Sequence, residues 1–376
     1  MVIFIITIYL STAIAIVVSC VLGAIWLITG QYRHLHLVLS NAPPAAWALS
    51  LYLCFFIGLA YGDAPSTEAF SIIRKYRELL FIPLLSCFFT NERYRILTWK
   101  AFIVASVVTL IGSYLMDFGI LDMLRHKTYT LKSRITHSIF IAFFMFFCAH
   151  KMLREQNKYK IGYLFVLLLG CYNLFFVVEG RTGQFVFLFL VPLFAGQRFG
   201  KKGLLIALTA ILFLASLYIT CSDKSARIRE GFDNTINYIN HVPEKRPTSM
   251  GIRYKFWENS LKIVAEKPWF GHGTGSFANE YKEESGSKRD IKNPHNEFLL
   301  IAVQFGLLGV ITYLGFLFSQ YQAAKKLHQH EKWLAQGLLF TLILTSLFNS
   351  PFLDHTEGHW FAVMIALCFA PKISAA

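Results

Sequence analysis

The feature that most constrains this chain is a series of apolar runs, each about as long as a bilayer is thick. A transmembrane helix needs about 20 mostly apolar residues, and such runs recur along almost the whole sequence. Hydrophobic residues make up 55% of the chain and charged residues only 15%, whereas soluble domains carry roughly 25% charged residues. One aqueous core could not bury so much apolar surface, so the sequence excludes a soluble enzyme and a disordered chain. It predicts a polytopic membrane protein.

Eleven runs are candidate membrane spans and a twelfth could be hidden, so the predicted fold is all-α with 11–12 transmembrane helices. This arrangement divides the chain into N-terminal transmembrane helices (1–221), a loop or cap (222–294) and C-terminal transmembrane helices (295–376). The candidate spans are residues 4–29, 44–61, 71–89, 96–116, 136–153, 160–178, 184–197, 203–221, 296–319, 333–349 and 358–371.

Basic residues predict the orientation of these spans. Three short gaps, 150–160, 198–202 and 320–332, are rich in Lys and Arg. Two spans separate each gap from the next, so all three lie on one side of the membrane. The positive-inside rule assigns that side to the cytoplasm. The cap segment, residues 222–294, is then predicted to lie on the opposite, outer side.

The cap segment is the one sizeable piece outside the predicted spans. Apolar residues at helical spacing predict an amphipathic helix over Ile252–Glu266, which Pro268 ends, and a second helix over Ala226–Ile239. We therefore expect a small helical cap that packs onto the membrane helices. The net charge of +14 is not accompanied by a nucleic-acid recognition module, so nucleic-acid binding is not expected.

Three side chains on the predicted outer side are the candidates for chemistry, because charges beside apolar runs are costly and usually functional. Arg181 lies in the short turn Glu179–Gly183, Arg253 lies near the start of the amphipathic helix, and His295 lies where the chain re-enters the membrane. Arginine binds phosphate through its planar fork, and histidine can act as a base near neutral pH. The alternatives are an Arg paired with Glu179, a solvated surface Arg and an interfacial His.

Other groups give weaker signals. The glycine-rich segment Gly271–Phe277 follows a helix, not a strand, which disfavours a nucleotide-phosphate loop. His355 and His359 could hold a metal but lack a helical lead-in, while Arg134 and His137 could add positive potential at an outer loop. Without a metal or nucleotide motif, we expect no metal and no cofactor. An enzyme of this kind would need an activated, membrane-borne substrate such as a lipid pyrophosphate.

The motifs resemble those of the bacterial O-antigen ligases of lipopolysaccharide assembly, within the wider superfamily of O-antigen ligases, O-antigen polymerases and pilin oligosaccharyltransferases. The family pattern is His-[Asn/Ser/Gln], nine residues, then Gly-x-x-[Gly/Thr/Tyr]. In this chain, His295–Asn296 is followed after nine residues by Gly306–Gly309, which satisfies the pattern. The segments Gly180–Gly183 and Arg253–Phe277 are also similar to those of the superfamily.

This resemblance implies a C-type membrane glycosyltransferase fold and an enzyme that needs neither metal nor nucleotide. The implied donor is undecaprenyl-pyrophosphate-linked O-antigen, and the implied acceptor is a sugar hydroxyl of lipid A–core, with inversion at the transferred carbon. Arg181 and Arg253 would bind the donor pyrophosphate, and His295 would be the catalytic base. The protein would lie among the lipids of the bacterial inner membrane, with its active site on the periplasmic side.

Two other functions remain open from the sequence. An O-antigen polymerase or a protein O-oligosaccharyltransferase would use the same type of donor with a different acceptor. A transporter of a lipid-linked sugar is a different class, but transporters usually place charges near the membrane midplane and often contain two related halves. The candidate charges of this chain collect at one predicted face, and the sequence shows no internal repeat.

Overall fold

All regular secondary structure in the described part of the chain is helical, which confirms the predicted all-α class. The computed structural model describes residues 1–121, 130–154, 159–221, 225–240, 248–287 and 289–372. The α-helices are α1 (Val2–Leu10), α2 (Thr12–Ile28), α3 (Leu35–Asn41), α4 (Pro43–Ile57), α5 (Ser66–Tyr76), α6 (Glu78–Phe89), α7 (Glu92–Asp117), α8 (Arg134–Arg154), α9 (Tyr159–Tyr172), α10 (Arg181–Cys221), α11 (Ala226–Ile239), α12 (Ser249–Glu266), α13 (Phe277–Ser285), α14 (Glu297–Lys325), α15 (Gln329–Phe348) and α16 (His355–Phe369).

Several of these helices can cross a membrane. Among the described residues, five are long and apolar enough: α7, α8, α10, α14, and α9 with the π-turn that continues it to Val177. The pair Thr12–Ile28 and Gln31–Asn41 passes the same test together but is bent by 81°, which gives up to six spans. The protein is therefore a multi-pass membrane protein. The remaining predicted spans correspond to shorter or broken helices and to α15, which is long enough but does not pass the same test.

Backbone breaks explain where helices and predicted spans differ. The predicted span 4–29 is divided at Ser11, whose extended backbone ends α1 and whose hydroxyl caps α2. The predicted spans 184–197 and 203–221 form α10, with a kink at Gly200 where φ is +66°. The apolar pattern gives the length of an apolar run but carries little information on such breaks.

Helix α8 lies inside the bundle, whereas α10 faces outward. Of the apolar window in each helix, 78% is buried in α8 and only 6% in α10. Helix α8 packs against α9, α10 and α15, and α16 packs against α6, α1 and α15. Exposed Leu212 and Phe213 on the second half of α10 are typical of a surface that contacts lipid tails.

The cap segment contributes α11, α12 and α13 to the described structure. Helix α11 has the predicted bounds, while α12 begins at Ser249, three residues before the predicted start. The hydroxyl of Thr248 accepts a hydrogen bond from the Gly251 N–H, and this cap explains the earlier start. Helix α12 packs against α11, α13 and α14.

Gly306, the glycine of the family pattern, breaks α14. Its backbone has φ +59° and ψ −149°, a conformation essentially restricted to glycine. The segment before the glycine-rich loop docks at this break, with the Leu307 N–H donating to the Pro268 carbonyl at 2.8 Å. The Gly273 N–H donates to the Gln304 carbonyl at 2.8 Å from the loop itself. The loop thus satisfies backbone groups that the break leaves open.

Gly306→Ala is expected to destabilise the protein by more than about 2 kcal/mol, since the backbone conformation alone costs of order 1–3 kcal/mol for other residues. A Cβ at this position would also lie 2.5 Å from the Trp269 carbonyl carbon. Thermal unfolding in detergent measures the effect. The matched control is Gly23→Ala, where a Cβ meets nothing within 4 Å. Equal melting temperatures for both variants would contradict this account of the break.

Candidate active site

A largely apolar cavity of about 790 Å³ lies between α10, α11 and α12. Two arginines, Arg181 and Arg253, contribute to its wall, and most of the remaining wall consists of aromatic and aliphatic side chains. An apolar space that carries a pair of cations suits a molecule with an anionic head and a lipid tail. Apolar residues of the wall include Phe175, Phe185, Ile211, Leu214, Ile219 and Phe348.

Close packing at the start of α10 fixes the position of Arg181. Arg181 is the first residue of the helix, between Gly180 and Gly183. A Cβ on either glycine would overlap with Ser138 of α8. Only glycine therefore allows the first turn of α10 to approach α8 this closely, which explains the motif Gly-Arg-Thr-Gly. The helix N-terminus adds positive potential next to the guanidinium.

Arg181 and Arg253 lie close enough for the charge of Arg181 to affect the pKa of Arg253. The Arg181 guanidinium reaches α11, where its Nη1 lies 3.5 Å from the position that a Cβ on Gly231 would occupy. Burial lowers the pKa of Arg253, and the positive charge of Arg181 lowers this pKa further. Two like charges at the wall of one cavity produce a strong positive potential, which favours an anion in that space.

His295 lies in a strained turn directly before α14. Its φ of +54° is unusual, because among the described residues it is the one non-glycine residue with positive φ. The Asn293 side chain accepts a hydrogen bond from the His295 N–H at 2.7 Å, and the Trp257 indole donates to the Pro294 carbonyl at 3.1 Å. Strain of this kind persists only where surrounding contacts hold it, and it is common at functional sites.

Helix α12 brings Arg253 and His295 together. Phe256, three residues after Arg253 and so on the same helix face, stacks on the His295 ring with centroids 6.3 Å apart and an interplanar angle of 17°. Burial lowers the pKa of His295, and the charge of Arg253 lowers it further. His295 is therefore neutral at pH 7 and can accept a proton. The structure thus places the three residues in one neighbourhood, although their roles stay a prediction.

Two further polar residues adjoin His295 and were not among the predicted site residues. Asn349, at the end of α15, lies with its Oδ1 3.4 Å from His295 Nδ1. Its Nδ2 donates to Oε2 of buried Glu357 at 2.9 Å. No motif in the sequence connects Asn349 or Glu357 with His295.

The stretch around His355 is the start of α16, which begins three residues before the predicted span 358–371, so the predicted start of that span was too late. The Asp354 carboxylate caps α16 by accepting from the Thr356 and Glu357 N–H groups at 2.8 and 3.1 Å. Nδ1 of His355 lies 2.5 Å from the Glu78 carboxylate, and Nδ1 of His359 lies 3.5 Å from the same oxygen. These histidines thus belong to an internal polar cluster around Glu78.

The outer-loop pair Arg134 and His137 is part of α8. His137 is buried, and its Nε2 lies 2.9 Å from the Asn173 side-chain oxygen. A Cβ on Gly180 would lie 2.6 Å from the Arg134 carbonyl oxygen, so the Arg134 backbone directly supports the turn before Arg181. Both residues therefore help to position α10 against α8.

A second cluster, in the cap, has the composition of a cation site. It consists of Glu266, His272 and Glu280, whose potential ligand atoms lie within 4.8 Å of one another. Nε2 of buried His272 lies 3.0 Å from the Ile263 carbonyl, and Nδ1 lies 3.0 Å from the Glu280 carboxylate. Burial raises the pKa of Glu280. None of the three lines the arginine cavity, and their contacts connect α12, the glycine-rich loop and α13.

Fold and site together define a multi-pass, all-α membrane protein with a cationic, otherwise apolar cavity beside a half-buried histidine. Residues 163–314 match the family described as O-antigen ligase. The match of this segment confirms the resemblance to the O-antigen ligase superfamily that the motifs indicated. The segment contains Arg181, Arg253, His295 and the glycine that breaks α14, whereas Asn349 and Glu357 lie beyond it.

A protein of Haemophilus influenzae, described as uncharacterized, is similar to this chain. The two are 26% identical over 239 residues. The match spans 58% of this chain and 59% of the relative, so less than two thirds of the relative's length is covered. Its description gives no activity that could be transferred.

Proposed function

We propose that this protein is an O-antigen ligase, a glycosyltransferase that moves O-antigen polysaccharide from undecaprenyl pyrophosphate to lipid A–core. The observation that carries the proposal is the pair Arg181 and Arg253 in an apolar cavity next to neutral His295. The family match supports this general type of glycosyltransferase. In the proposed setting the protein spans the bacterial inner membrane, the cap segment 222–294 lies in the periplasm, and the reaction takes place on that side.

The cavity fits the two chemical parts of such a donor. The apolar wall between α10 and α11 would hold part of the polyprenyl tail, since lipid tails and these side chains are equally apolar. The Arg181 and Arg253 guanidiniums would bind the pyrophosphate through bidentate hydrogen bonds. These contacts strengthen as negative charge develops on the leaving pyrophosphate, so they lower the barrier of the reaction itself.

The proposed reaction is a direct displacement. A lipid A–core hydroxyl oxygen attacks the anomeric carbon of the first O-antigen sugar, and the bond between that carbon and the pyrophosphate oxygen breaks. The hydroxyl proton passes to a ring nitrogen of His295, and undecaprenyl pyrophosphate leaves with both bonding electrons. One displacement inverts the configuration at the anomeric carbon. No step needs a metal or a cofactor.

The electrostatics of His295 predict the pH dependence of transfer. Since burial and Arg253 lower its pKa below the ordinary value of 6.5, the acidic limb of kcat/KM is expected below pH 6.5. Bound pyrophosphate offsets the charge of Arg253 and raises the His295 pKa, so the acidic limb of kcat is expected at a higher pH than that of kcat/KM. Transfer assays in proteoliposomes between pH 5 and 8 measure both limbs. The reverse order of the limbs would contradict this account.

Chelation tests the proposed independence from metals. Transfer in proteoliposomes is expected to stay within about twofold of its initial rate after treatment with EDTA, because Arg181 and Arg253 supply the charge that a metal would otherwise supply. The control is Glu280→Gln, which alters the cluster of Glu266, His272 and Glu280 in the cap. Loss of transfer on chelation, with recovery on addition of a divalent cation, would contradict the proposed chemistry.

A deletion strain distinguishes the proposed ligase from its alternatives. Without the gene, lipopolysaccharide is expected to lack O-antigen, while polymerised O-antigen accumulates on undecaprenyl pyrophosphate in the periplasmic leaflet. A polymerase deletion would instead leave single O-antigen units on lipid A–core. A transporter deletion would leave donor in the cytoplasmic leaflet, and an oligosaccharyltransferase deletion would remove glycan from a protein. Any of these three results would overturn the proposal.

A further inference from the structure

We propose that Glu357, acting through Asn349, is a positioning residue that holds His295 in the tautomer with Nδ1 protonated and Nε2 free to accept a proton. The proposal rests on the proposed function, in which His295 is the base. Three contacts carry it: Glu357 to Thr136, Glu357 to Asn349, and Asn349 to His295.

The series of hydrogen bonds that reaches His295 begins at Glu357. Its Oε1 accepts from the Thr136 hydroxyl at 3.0 Å, and its Oε2 accepts from the Asn349 side chain at 2.9 Å. Because Nδ2 of Asn349 donates to Glu357, the NH2 end of the Asn349 amide faces Glu357. The carbonyl end of the same amide then faces His295.

The orientation of Asn349 determines the protonation of the His295 ring. The amide Oδ1 lies 3.4 Å from Nδ1. Since an amide oxygen only accepts, Nδ1 must carry the proton in this contact, which leaves the Nε2 lone pair available as a base. A distance at the upper end of the hydrogen-bond range is common in catalytic sites without substrate and shortens in the reactive complex.

The placement of Glu357 gives it a fixed geometry, although burial raises its pKa to about 8. The side chain of Glu357 is 1% exposed. Glu357 lies in the first turn of α16, where the helix dipole stabilises a carboxylate, and the Asp354 cap holds that turn. Burial of a carboxylate is costly unless its oxygens are bonded, and both oxygens of Glu357 are bonded. As the imidazolium forms during proton transfer, this chain also stabilises its charge.

The test compares variants of the full-length protein in proteoliposomes. Asn349→Ala removes the acceptor for Nδ1 and is expected to lower kcat roughly 100-fold, the scale of general-base catalysis, without a change in donor KM. Glu357→Leu frees the Asn349 amide to turn and is expected to lower kcat at least tenfold, about the effect of residues that orient a functional histidine. The matched control is Ser346→Ala. Ser346 lies in α15, the helix that Asn349 ends, and this variant loses a buried hydrogen bond to Tyr313 of α14.

A charge-swapped pair separates positioning from a structural role. In Asn349→Asp with Glu357→Gln, the new aspartate still accepts from Nδ1 and the new glutamine amide donates to the aspartate. This double variant is expected to keep kcat within about tenfold of the unmodified protein, and the acidic limb of kcat moves to higher pH because the aspartate stabilises the imidazolium. A merely structural contact gives no reason for such a shift, so an unchanged limb would overturn the proposal.

The tautomer itself can be read independently of activity. Nitrogen-15 NMR of histidine-labelled protein in nanodiscs, with His295→Asn to assign the signal, is expected to show a protonated Nδ1 and an unprotonated Nε2. A protonated Nε2 would overturn the inference even if His295 proves to be the base. If His295 variants instead retain transfer, the proposed function fails, whereas the NMR result still decides the tautomer.

Discussion

His295→Ala is expected to lower glycan transfer to lipid A–core by roughly 100- to 10,000-fold, the range that general-base catalysis contributes. The acceptor hydroxyl then has no group to take its proton, while the donor still binds to Arg181 and Arg253. Donor KM is therefore expected to change little while kcat falls. Transfer in proteoliposomes and O-antigen on lipopolysaccharide in cells are the two measurements.

His295→Asn is the control for backbone strain. Asparagine adopts the left-handed conformation more readily than most residues, so it suits the φ of +54° at this position but cannot act as a base. We expect this variant to unfold at the same temperature as the unmodified protein and to be as inactive as His295→Ala. Substitution of exposed His36 tests for unspecific effects of histidine loss. Normal lipopolysaccharide with either His295 variant would exclude His295 from the mechanism.

Arg181→Ala is expected to lower kcat/KM for transfer by about 100- to 1,000-fold, because one preorganised donor to a developing anion is worth that much. Arg181→Lys is expected to recover only part of this loss, since an ammonium group cannot replace the bidentate fork. The same order should hold for Arg253, which lines the same cavity as Arg181. Kinetics in proteoliposomes with varied donor concentration give both kcat and KM.

Arg93→Lys is the matched control for these variants, because Arg93 is exposed at the start of α7 and does not line the cavity. Its transfer rate should stay within about twofold of the unmodified protein. If Arg181→Lys and Arg93→Lys transfer at the same rate, the planar guanidinium of Arg181 is not needed to bind the pyrophosphate. A general positive potential then explains the role of Arg181 better.

The apolar pattern predicted the class of this protein well, because a bilayer sets a simple length requirement that sequence can show. Two of the three described cap helices, α11 and α12, were also predictable, since amphipathic spacing is a local property. Breaks inside apolar runs were not. Ser11 interrupts the first run and Gly306 interrupts α14. At Gly306, contacts with the distant segment Pro268–Gly273 accompany the break.

The site could be predicted only in part. The spacing between His295 and Gly306 indicated the family, but the reason for the glycine, a helix break at which the loop Gly271–Phe277 docks, depends on contacts between distant segments. The same holds for Asn349, which is 54 residues from His295 in sequence. A polar residue at the end of an apolar helix is ordinary, so no local signal distinguished it.

The measurement that tests the central claim most directly is a cryo-EM structure with undecaprenyl pyrophosphate bound. We expect pyrophosphate oxygens within about 3.2 Å of the guanidinium nitrogens of both Arg181 and Arg253, with the lipid tail in the cavity between α10 and α11 and His295 facing the site of the transferred sugar. A lipid pyrophosphate that binds elsewhere, or that contacts neither arginine, would contradict the proposed site and mechanism.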